Sequence, residues 1–173
     1  RADMQTSVYP AGLFNHDMLI DTHCHLDFSD FQGDLDNIIE RARQAGVEKL
    51  ISIGTTFESS ECAVELAERY PEVYATVGHH PSYHDDFFEG EINRLAVLSR
   101  HPKVVAIGEC GLDYHHMPTP DQFDSVQTYE AEFNRVQEKQ KEIFTAQLKL
   151  AVREQLNVVV HQRNSWDHCM AKL

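Results

Sequence analysis

The chain has 173 residues, 42% of them hydrophobic and 25% charged, enough for one globular domain with a sizeable core. Its formal net charge of -13 counts against a simple electrostatic nucleic-acid binder, since phosphate contacts need Lys and Arg. An acidic chain can still act on phosphates where bound divalent cations supply the positive field. No stretch is apolar enough to span a membrane, and residues 1–17 lack the basic start and apolar run of a secretion signal. The four cysteines, Cys24, Cys62, Cys110 and Cys169, form no C-x-x-C pair, so a reducing cytoplasm is the expected location.

In chain order, residues 1–17 read as an N-terminal extension ahead of Met18, and the first strand is predicted over 19–23. Leu35, Ile38, Ile39 and Ala42 recur at helical spacing, with Gly46 as a stop. A second strand follows over 47–53, then a helix over 59–70 ended by Pro71 and a third strand over 73–77. After a His-rich loop comes a helix over 91–100, closed by Pro102, and a fourth strand over 104–107. A long helical tract ends near Gln155, the fifth strand covers 158–160, and residues 165–173 read as a last helix.

Alternating strands and helices predict an α/β fold with a parallel sheet, either doubly wound or a (β/α)8 barrel. The chemistry chooses the barrel, where the carboxyl ends of all strands converge on one mouth. His23 and His25 end the first strand, His79 and His80 follow the third, Glu109 the fourth and His161 the fifth. The first strand runs into His-x-His and not into the glycine-rich turn of a doubly wound nucleotide site. A strand points alternate residues to one face, so His23 and His25 can reach one cation, with Asp21 on that face able to hydrogen-bond an imidazole N–H. Among 11 histidines such a pair also arises by chance.

Four segments in order, Ile20-Asp21-Thr22-His23-Cys24-His25-Leu26-Asp27, Gly78-His79-His80-Pro81, Gly108-Glu109-Cys110-Gly111-Leu112-Asp113-Tyr114 and Val160-His161-Gln162-Arg163, resemble the TatD family of metal-dependent deoxyribonucleases. The resemblance covers residues 18–173 and implies a (β/α)8 TIM barrel of the amidohydrolase-like metal hydrolases. It implies that His23 and His25 hold one divalent cation, that Glu109 bridges two, and that His161 binds the second. Imidazole and carboxylate donors suit Mg, Mn or Zn, and a bridged pair of cations can activate water for attack on phosphorus. The implied reaction is two-metal hydrolysis of phosphodiester bonds in DNA, with RNA or tRNA as other substrates.

Other residues have two readings each. His80 matches the histidine of the family's G-x-H-P turn and would contact substrate phosphate or orient a ligand; otherwise it stiffens the loop beside Pro81. Arg163 would pair bidentately with phosphate, or form a salt bridge. Glu109 without the resemblance is an ordinary turn glutamate, and His161 a core histidine. Asp21 is a ligand orienter or a polar barrel-layer residue. Asp113 lies near the mouth, and His79, His84, His115 and His116 are expected at the surface. Cys24 points away from the imidazoles, and Cys110 is a weak candidate for a thiolate role.

Two departures from the family stand out. The tract 118–138 is longer than the usual connection and reads as a solvated helix extension, or as an overhang at the mouth. A complete barrel needs about 250 residues, whereas this sequence contains five βα units, so a truncated barrel is expected. The family's histidine after the sixth strand and its late aspartate have no counterpart. The alternatives are a catalytically impaired metal-binding or interaction module, or a related hydrolase acting on an ester or amide such as aminoacyl-tRNA.

Overall fold

The computed structural model describes residues 19–31 and 33–173; the expected extension, residues 1–17, lies outside the described residues. Strands and helices alternate as β1 (Leu19–Cys24), α1 (Leu35–Gln44), β2 (Val47–Ser52), α2 (Phe57–Arg69), β3 (Val73–Val77), α3 (Glu91–Leu98), β4 (Val104–Asp113), α4 (Val126–Glu154), β5 (Asn157–Arg163) and α5 (Trp166–Met170). All neighbouring strands pair in parallel, in the order β1-β2-β3-β4-β5. That order excludes a doubly wound sheet, which reverses direction at a switch point. A sheet wound one way only, each strand laid beside the last, is an arc of a barrel. Among the described residues β1 and β5 each have one strand neighbour.

Local chemistry sets the elements. The Thr56 side chain caps α2 by accepting from the Ser59 N–H at 3.1 Å, and the Ser125 hydroxyl caps α4 by accepting from Thr128 N–H at 3.2 Å. β3 is buried along almost all its length, as an inner parallel strand must be. Helices α1 to α4 lay Ile39, Ala63, Leu95 and Leu150 against Leu50, Val73, Val77 and Ile107 of the sheet. Each fully buried Ile, Leu or Phe contributes about 1.5–3 kcal/mol. Phe144 of α4 seals a second cluster with Cys110, Leu112 and Cys169.

The two strands that carry the chemistry are longer than their sequence pattern. β4 runs on through Asp113, so Glu109 lies inside a strand and not in the expected turn, and β5 runs on through Arg163, taking in His161. Gly108 and Gly111 interrupt the apolar pattern and read as a turn, yet they permit the pairing to continue. A Cβ on Gly111 would lie 2.0 Å from the His161 carbonyl oxygen, so only glycine lets β4 come this close to β5. The tract 118–138 holds a short turn at Pro120–Gln122 and then the exposed first turns of α4, where Arg135 pairs with Glu132 at 2.8 Å and Asp85 at 3.0 Å. No helix among the described residues is long and apolar enough to cross a membrane.

Candidate metal centre

Parallel strands end at the same side of the sheet, and there two groups of donors meet. His23, His25 and Glu109 form one, and His80, Glu109 and His161 the other; within each group the ligand atoms lie within 4.8 Å of one another. Glu109 belongs to both because its two oxygens diverge. Oε2 faces His23 Nε2 at 3.5 Å, and Oε1 faces His161 Nδ1 at 3.1 Å. His80 Nε2 completes the second group, 2.9 Å from His161 Nδ1.

Three of the rings are held from behind. The His25 ring stacks on Phe28 with centroids 4.7 Å apart, and His80 Nδ1 accepts the Ser82 N–H at 3.1 Å, which turns Nε2 toward the centre. His161 Nε2 meets Asp113 Oδ2 at 3.2 Å. Asp113, 1% exposed, also accepts the N–H groups of His115 and His116 at 2.9 and 3.1 Å and meets His116 Nδ1 at 2.8 Å. A carboxylate behind a metal-ligating imidazole fixes its tautomer and ring angle and raises its basicity.

The electrostatics follow from this crowding. Burial alone would raise the Asp113 pKa, but the hydrogen bonds from the His116 ring and from both N–H groups hold it well below the usual carboxylate range. Burial would likewise raise Glu109, and the His161 hydrogen bond with the nearby His80 and His23 rings holds it down. The Glu109 hydrogen bond raises His161 despite its partial burial, and Asp113 adds to the rise. Burial and then the charge of His161 push His80 down to about 4, so one imidazole of the pair stays neutral.

The donor set fits a divalent cation on two counts. His25 Nδ1 is buried with no hydrogen-bond partner, the cost of which a coordinate bond would remove. At the second group two imidazole nitrogens and a carboxylate oxygen converge on one another, the donor types that suit such a cation. Three protein donors per group leave coordination positions open, as catalytic sites do.

Several expectations change. His80, expected on substrate, sits among the donors. Asp21 Oδ1 accepts the backbone N–H of His23 at 3.1 Å and not an imidazole N–H, the local bond to the N–H two residues on that Asp side chains favour. His79, expected at the surface, is 1% exposed; its ring is held between Glu91 Oε1 at 2.6 Å and the Tyr83 carbonyl at 2.7 Å. Arg163 is exposed at the end of β5, beside an open cleft of about 580 Å³ that Tyr114, Trp166 and His168 also line; among the described residues no ion pair occupies it. Burial pushes the Cys24 thiol up to about 12 and raises the Cys110 thiol as well, which disfavours a thiolate at either. The Asp113 hub was not legible, since its partners come from positions 82, 116 and 161 and no local pattern joins them.

A family model described as TatD related DNase matches residues 20–173. The chain belongs to the TatD family. It is 39% identical over 150 residues to the uncharacterized metal-dependent hydrolase YjjV of Escherichia coli, covering 86% of this chain and 52% of that one. It is 32% identical over 156 residues to the 3'-5' ssDNA/RNA exonuclease TatD of Salmonella typhimurium, covering 90% and 54%. The crystal structure of the E. coli TatD homologue YjjV superposes with a TM-score of 0.70 at 36% identity, over 88% of this chain and 53% of that one. An amidohydrolase from Saccharomyces cerevisiae, 21% identical, shares the fold with a TM-score of 0.70 over 90% of this chain and 51% of its own. The five strands are therefore part of a TatD-type TIM barrel, and the chain spans about half the length of the curated relatives it matches.

Proposed function

We propose that the protein is a divalent-metal-dependent hydrolase of phosphodiester bonds, working on single-stranded DNA with one cation in each donor group. The observation that carries this reading is Glu109, a single carboxylate whose two oxygens face two separate sets of imidazoles. When bound, Mg, Mn or Zn would supply Lewis-acid polarisation of the phosphoryl group and activation of water. The remaining work falls to the chain. His23, His25, His80 and His161 present imidazole nitrogen donors, and Asp113 holds the His161 ring. Arg163 is a free guanidinium at the same end of the sheet, suited to a bidentate grip on a phosphate. With a net charge of -13 over the whole chain, a nucleic acid is attracted only where cations and Arg163 offset the field.

The name of the Salmonella relative covers both ssDNA and RNA, which supports RNA as the second substrate class. Four free cysteines suit a reducing cytoplasm. Because the chain spans about half the length of these relatives, hydrolysis is proposed for the barrel closed by whatever continues the sheet between β5 and β1. Cation binding is proposed for the chain itself. The test is Glu109→Ala in the closed barrel, with cleavage of end-labelled single-stranded DNA followed in Mn²⁺ or Mg²⁺. Loss of all metal-dependent cleavage with retained helix content is expected, and unchanged cleavage would overturn the bridging role.

A further inference from the structure

Helix α4 carries two glutamines, Gln140 and Gln147, that are buried to within 1% of complete. They stand seven residues apart, two turns of helix, and so share one face. The Gln147 side-chain amide accepts the His79 N–H through Oε1 at 2.8 Å and donates through Nε2 to the His79 carbonyl at 2.9 Å. Gln140 does the same to Asp113, accepting its N–H at 2.9 Å and donating to its carbonyl at 3.1 Å. A side-chain amide has one donor edge and one acceptor edge, the same pair a strand peptide offers. Each glutamine thus stands in for a neighbouring strand at a point where the backbone is buried.

Both clamped residues lie one step from a donor of the second group. His79 precedes His80, and its ring is locked between Glu91 and the Tyr83 carbonyl, so gripping its peptide sets where His80 leaves the strand. The Asp113 carboxylate meets His161 Nε2, so gripping its peptide sets the angle of the other imidazole. Gly78 is fitted to the same device, since a Cβ there would lie 2.9 Å from Gln147 Oε1. His23 and His25 hang instead on β1, at the opposite edge of the strand order from β5.

We propose that Gln140 and Gln147 are positioning residues for the second donor group, two rigid clamps by which α4 aligns His80 and His161 on the Glu109 oxygen they share. The inference rests on the two-group reading of the centre. Hydrophobic residues of the same volume would fill the space equally well but would leave two peptide groups unsatisfied and free to rotate. The clamps therefore act on alignment as well as on stability.

The experiment is a calorimetric Mn²⁺ titration of the 173-residue chain after chelation. His23→Ala assigns the event at the first group and His80→Ala the event at the second. Gln140→Met and Gln147→Met, close in shape but unable to clamp, are expected to weaken the second event about 10- to 100-fold, the range for losing an outer partner of a ligand, and to leave the first within about threefold. Gln140→Asn and Gln147→Asn, which keep the amide but fall one methylene short, should fall between, and they serve if a Met variant does not fold. Leu150→Ala, a buried neighbour on the same helix, controls for destabilisation and should leave both events unchanged. Two wild-type events with unaltered affinities in the variants, or equal weakening by Leu150→Ala, would overturn the clamps alone. Fewer than two wild-type events would overturn the two-group reading, and the clamp proposal with it.

Discussion

Replacing Asp113 by Asn changes a single atom and tests whether the hub behind His161 is held by charge. Oδ1 accepts the N–H groups of His115 and His116, while Oδ2 faces the ring nitrogens of His116 and His161. An amide presents its oxygen to one pair and its NH2 to the other. With the NH2 toward the backbone pair, donors face donors and two hydrogen bonds to a charged group are lost, at about 1.5–3 kcal/mol each. With the NH2 toward the rings, tautomer changes recover part of that loss. The second orientation wins, and the net cost is about 3 kcal/mol in a side chain that is 1% exposed. Urea unfolding followed by circular dichroism, with chelator present, measures it at pH 7. The folded pKa of Asp113 lies below the unfolded carboxylate value of about 3.9. Its stabilisation is therefore complete above that value and is lost as pH falls through the lower folded one. The gap between wild type and variant should persist at pH 5. A cost below about 0.5 kcal/mol, typical of ordinary surface substitutions, or a gap already closed at pH 5, would refute the reasoning.

Two further predictions follow from the same geometry. Because the folded His161 pKa is raised, a cation entering the second group displaces a proton from that ring, so affinity there should fall as pH drops through that raised value. Titrations in buffers of different ionisation enthalpy would detect the released proton, and binding independent of pH between 6 and 8 would contradict it. Gly111→Ala forces a methyl group against the His161 carbonyl, where a Cβ would lie at 2.0 Å. It should destabilise the chain by about 3 kcal/mol or more and weaken the second cation event before the first; a urea midpoint equal to wild type would contradict the close β4–β5 approach.

Much of the arrangement was legible along the chain. The alternation of elements, the end of α1 near Gly46 and the span of β3 all follow from local periodicity and turn chemistry, which need only neighbouring residues. His23, His25, Glu109 and His161 were legible as one centre because a parallel sheet gathers strand ends on one side. What was missed shares a different cause. Glu109 was read into a turn because the glycines around it break the apolar pattern, although those glycines exist to admit β5. His79 was assigned to the surface because its ring partners, Glu91 at the start of α3 and the Tyr83 carbonyl, meet it only once the loop has folded back.

Residue types and their order along the chain, with the family resemblance they carry, thus pointed to the fold class and to four of the five candidate donors. Only the tertiary structure placed His80 as a fifth candidate donor, turned the two oxygens of Glu109 toward different groups, and set Asp113, Gln140 and Gln147 behind them. Strand and helix periodicity depends on neighbours a few residues apart, whereas these contacts join positions 27 to 86 residues apart. Such distances close only when β3, β4, β5 and α4 pack together.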